Sequence, residues 1–126
     1  MLRIRTEQMA VFTEDARRKS EEKLLHHCTS CWPEKTAKLG EGGTAALIQR
    51  TIQAVAPHGI TAQADLARYL NLIFVWGEGF ESRLPWVSEI LNDPTLRGPV
   101  KVFQLVHRTR EELKAIGNAD SRRGAV

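Results

Sequence analysis

Thr61-Ala-Gln-Ala-Asp-Leu-Ala-Arg-Tyr-Leu-Asn-Leu-Ile-Phe-Val-Trp-Gly77 is the most apolar stretch of the chain and sets its fold class. Ala62, Leu66, Tyr69, Leu70, Ile73 and Trp76 recur at steps of three and four, the period of one helix face. Between Tyr69 and Trp76 only Asn71 is polar, a pattern that a buried strand shares. Length separates the two readings. Thr61 is a good N-cap, Gly77 a stop, and the span between them is too long for an ordinary strand. A capping box is absent, because Ala64 stands where Glu or Gln would be needed. Asp65 still lies within reach of the positive end of the helix dipole. A helix apolar on nearly every side belongs at the centre of a bundle. The spacing thus predicts a central helix over residues 62–76, with Leu66, Leu70, Ile73 and Phe74 buried and Asn71 hydrogen-bonded.

The flanks repeat the period with different punctuation. Upstream, Thr6 can cap a helix whose stripe runs Met9, Phe12, Ala16, Ser20, Leu24 and fades near Cys28-Thr-Ser30. Pro33 suits the first turn of a short helix to Leu39, ended by Gly40. Glu41-Gly-Gly43 reads as a break, followed by a stripe of Ala45, Ile48, Ile52 and Val55 that Pro57-His-Gly59 ends. Downstream, Gly77-Glu-Gly-Phe80 reads as a turn, and Pro85 opens a short helix carrying Trp86, Val87, Ile90 and Leu91 on one side. Asn92-Asp-Pro94 ends that helix. Pro99 starts the last one, lined by Val102, Phe103, Val106, Leu113 and Ile116 and stopped by Gly117. No strand pattern competes. The expected fold is all-α, a compact bundle of about five main helices. One domain over residues 1–117 would be followed by a flexible tail over 118–126.

Composition fits a globular domain. The chain has 126 residues, 42% hydrophobic and 26% charged, enough to form a core without a disulfide or metal. Its longest apolar run, Leu72-Ile-Phe-Val-Trp76, is far short of the roughly 20 residues that span a bilayer. Met1-Leu-Arg-Ile-Arg5 lacks the apolar core of a secretion signal, so a cytoplasmic location is expected. The net charge of +3 is a weak argument for nucleic acid. The basic surplus lies C-terminally, where Phe103 is the sole aromatic among the charges, so stacking on bases is poorly supported.

The chemistry-bearing motifs are sparse. Cys28 and Cys31 form one C-x-x-C after His26 and His27, and a structural zinc site would need a second ligand pair that the chain does not offer. The expectation is two reduced thiols, no metal and no cofactor. No nucleophile elbow, zinc-protease helix, phosphate loop or dinucleotide fingerprint is present, and Gly40-Glu-Gly-Gly43 has neither a preceding strand nor a closing Lys-Ser or Lys-Thr. Nothing points to an enzyme. The informative segment is Phe74 to Trp86, which gathers Phe74, Trp76, Phe80 and Trp86 with Arg83 and Leu84 and contains Gly77 and Gly79. Aromatic residues and Arg dominate binding hot spots. Phe80, Arg83, Leu84 and Trp86 are therefore the expected partner-binding residues, with the alternative that the rings close one end of the core.

Several stretches together resemble a family of small helical bacterial proteins. They are Leu2-Arg-Ile-Arg-Thr-Glu-Gln-Met-Ala10, Trp32-Pro-Glu34, His58-Gly-Ile-Thr61, Asp65-Leu-Ala-Arg-Tyr-Leu-Asn-Leu-Ile-Phe74, Gly77, Phe80 and Pro85-Trp86, within about residues 2–92. Members of that family are similar to accessory proteins encoded beside type VI secretion effectors and their spike or PAAR proteins. Cys31 and Trp32 stand where the family often has His and Phe. The resemblance implies an adaptor or co-chaperone whose partner is a secreted effector or a spike component, with no catalytic residues to carry over. Two alternatives stand beside it. One is an immunity protein that inhibits a cognate toxin, against which the +3 charge argues if the toxin is a nuclease. The other is a small nucleic-acid-binding helical protein, supported by the C-terminal charges alone.

Overall fold

The computed structural model describes the backbone from Leu2 to Ala125, and the side chains of Ala16 and residues 18–117. Among the described residues six helices run in order: α1 (Leu2–Cys31), α2 (Pro33–Val55), α3 (Gln63–Trp76), α4 (Phe80–Arg83), α5 (Pro85–Leu91) and α6 (Gly98–Ala125). A 3₁₀ turn, Ala56–His58, lies between α2 and α3, and no strand occurs among the described residues. The protein is all-α, as the periodicity predicts. The backbone divides into two compact units, Met1–Ala54 and Val55–Val126.

In the first unit, α1 continues past the expected fade to Cys31, and Trp32 alone separates it from α2. Helical hydrogen bonding brackets the junction, since Trp32 N–H donates to the Cys28 carbonyl at 2.8 Å and Thr36 N–H to that of Trp32 at 3.0 Å. Pro33 takes the first position of α2, where its missing N–H costs nothing. Helix α1 begins at Leu2, so Thr6 lies inside it rather than at its cap, and the side chains of the stripe positions Met9 and Phe12 lie outside the described ones. Farther along that stripe Ala16 is exposed, Ser20 half-buried and Leu24 buried. Cys28, Leu47 and Ile48 are buried with Leu24, and so are Thr36, Thr44 and Thr51.

The three-residue break expected at Glu41-Gly-Gly43 is a one-residue kink at Gly40, with φ 75° and ψ 167°. That conformation is open essentially to glycine alone, and one such residue redirects the chain. Gly42 and Gly43 stay helical because a glycine inside a helix weakens it by only about 1 kcal/mol. The same physics corrects the other end of the chain. Gly117 was expected to stop the last helix, yet α6 runs through it to Ala125, and Gly117 is not among the glycines with positive φ.

The second unit is built around α3. Leu70 is wholly buried, Leu66, Ile73 and Phe74 nearly so, which places the core where the sequence predicts it. The helix begins at Gln63, with Ala62 rather than Thr61 in the cap position and no side-chain cap bond. Asp65 is buried in the first turn and accepts from Arg68 at 3.1 Å. No buried side-chain nitrogen or oxygen among the described residues lacks a hydrogen-bond partner. Helices α3 and α5 both pack on α6. The start of α6 also holds the turn before α3, where Lys101 Nζ donates to the His58 carbonyl at 3.3 Å. Gly98 approaches Gly59 so closely that a Cβ there would overlap the Gly59 carbonyl.

Candidate protein-binding surface

The four residues expected to meet a partner lie around the corner that joins α3 to α5, and the structure divides them. Phe80 is a correction. Its side chain is 1% exposed, and its ring lies 5.4 Å from that of Tyr69, tilted by 44°. A phenyl group enclosed in the core offers no surface to a partner. Burial, helped by the charge of Glu81, pushes the Tyr69 hydroxyl far above its ordinary titration range, because the phenolate would have to form without water. The expected loose turn is a helical turn, α4, entered through Gly79 with φ 83°.

Arg83, Leu84 and Trp86 do reach the surface, but each is tied inward. Arg83 is exposed, and its Nη2 donates to the Trp76 carbonyl at 2.6 Å, closing the C-terminus of α3. Leu84 is half-buried and ends α4 while capping α5. Trp86 is half-buried, with its ring edge-on to Trp76 at 6.4 Å and 75°. Trp76 donates its indole N–H to the buried Thr109 hydroxyl on α6 at 3.1 Å, and the Arg108 guanidinium lies over the Trp86 ring at 5.4 Å. A cation on a ring is worth about 0.5–1 kcal/mol at a surface. These contacts make the aromatic segment a clamp between the end of α3 and the middle of α6.

The exposed apolar surface lies on α6. Of the five large hydrophobic side chains that are exposed among the described residues, four belong to it: Val100, Phe103, Leu113 and Ile116. Phe103 is the extreme, at 70%. The sequence reading placed Phe103, Leu113 and Ile116 inward. The buried stripe is instead Lys101, Val102, Leu105 and Thr109, two of them polar. Lys101 is held by the His58 carbonyl and Thr109 by the Trp76 indole, so neither leaves an unmet polar group inside. The only hint in the sequence was Leu105, which is incompatible with burying Phe103 on the same narrow stripe. The Phe103 ring stacks on His107 one turn later, 6.3 Å apart and within 7° of parallel. Charges surround the patch. Arg108 bonds Glu112 at 3.0 Å and Lys114 lies 4.0 Å from Glu111, while Arg122 and Arg123 lie outside the described side chains.

The cysteine motif belongs to the first unit. Cys28 is buried, and its thiol is pushed up to about 11, chiefly by desolvation and then by Cys31. Cys31 is exposed, with its Sγ 3.7 Å from His27 Nδ1. Both thiols are free, and no group of three or more His, Cys, Asp or Glu is arranged around a metal position among the described residues. Nor is any helix there long and apolar enough to cross a membrane. No protein-family model, curated protein or solved structure matches this chain.

Proposed function

We propose that this protein is a non-enzymatic protein-binding accessory, an adaptor or co-chaperone that presents the outward face of α6. The observation that carries the reading is Phe103, a large apolar ring held in water on a rigid helix beside exposed Val100. A well-ordered aromatic side chain gives up little conformational entropy on docking, and apolar patches of this kind mark interaction surfaces. The corner at Arg83, Leu84 and Trp86 becomes a supporting rim in this reading, because its rings and hydrogen bonds are already engaged. The resemblance noted above supplies the identity of the partner, a type VI secretion effector or spike component.

The test is co-expression of the tagged chain with the effector and spike proteins encoded by adjacent genes. The expected result is one stoichiometric complex that survives purification. A Val100→Asp, Phe103→Asp variant is expected to lose it while keeping its melting temperature. Unchanged capture by that variant would remove α6 from the interface. A complex that abolishes the activity of a toxic effector would instead favour the immunity reading. Salt-sensitive retention of a labelled oligonucleotide, with no protein complex, would favour nucleic acid.

A further inference from the structure

We draw no further inference here: the strongest candidate, the exposed apolar patch of Leu113 and Ile116 on the C-terminal half of α6, carries nothing, because nothing in the structure shows what covers it.

Discussion

The corner from Gly77 to Trp86 and the outward face of α6 are opposites. With Trp76 just before it, the corner holds three rings in eleven positions and buries or clamps all of them. The face holds one ring among charges and leaves it 70% exposed. Aromatic density therefore points to the place where this fold is closed, and the isolated phenylalanine points to the place where it is open. The reason is geometric. Rings close in sequence around a tight turn meet each other and the helix ends they join, so they satisfy one another. A ring on the middle of a long helix is placed by the register of that helix alone.

Substitutions at the two places should separate them. The largest effect is expected from Phe80→Ala, which deletes a fully buried ring and should cost about 3–5 kcal/mol in denaturant unfolding. A loss below about 1 kcal/mol would mean that the ring is not part of the core. Gly77→Ala comes next. Gly77 has φ 96° and ψ 155°, a region essentially restricted to glycine, and an added Cβ would stand 2.9 Å from Arg83 Nη2. A cost of about 2–3 kcal/mol is expected, together with loosening of the Arg83 bond to the Trp76 carbonyl. Thr109→Val keeps the shape but removes the acceptor of the Trp76 indole. About 1–3 kcal/mol is expected, with a shift of tryptophan fluorescence.

Tyr69 gives the comparison a pH axis. Its hydroxyl titrates higher in the folded state than in the unfolded chain, where a tyrosine ionises near pH 10. The stability linked to it is fully present below about pH 10 and is lost as pH rises from there toward the folded-state value. Ultraviolet titration of the phenolate should show this delayed ionisation in the parent. In Phe80→Ala it should fall back toward the ordinary range, because the ring that excludes water from Tyr69 is gone. Equal titration in both would show that Phe80 does not shield Tyr69. The smallest effect on stability is expected from Phe103→Ser, within about 0.5 kcal/mol of the parent, since the ring is 70% exposed and, among the described residues, only His107 stacks on it. A larger loss in melting experiments would mean that the α6 face is covered within the molecule itself.

Much of this architecture could be read from residue type and spacing. The three-to-four step of Leu66, Leu70, Ile73 and Phe74 places them on the buried side of α3 because helix geometry is local and repeats every 3.6 residues. Pro33 and Pro85 open helices and Gly59 and Gly77 end them, since a fixed φ or a left-handed one is a property of the residue. Where glycine only permits a break, the neighbours decide. Gly40 kinks and Gly42, Gly43 and Gly117 do not, and no rule confined to the chain distinguishes them.

The candidate surface was misread for a related reason. Burial of Lys101 and Thr109 depends on partners far away in sequence, the His58 carbonyl and the Trp76 indole, and without those partners a polar stripe looks like the solvent face. Once they are met, α6 turns its polar-flecked side inward and Phe103 outward. A groove lined by residues of α1 and α2 between Glu22 and Thr44 has the same origin, because it forms only when residues about twenty positions apart face each other across the turn at Trp32. Residue identity and spacing determined the helices, the boundaries set by Pro33, Pro85, Gly59 and Gly77, and the central core, since those follow from short-range sterics and periodic burial. Tertiary structure alone decided which face of α6 meets water, whether Phe80 or Phe103 is exposed and where a concavity forms, since each depends on hydrogen bonds and packing between segments distant along the chain.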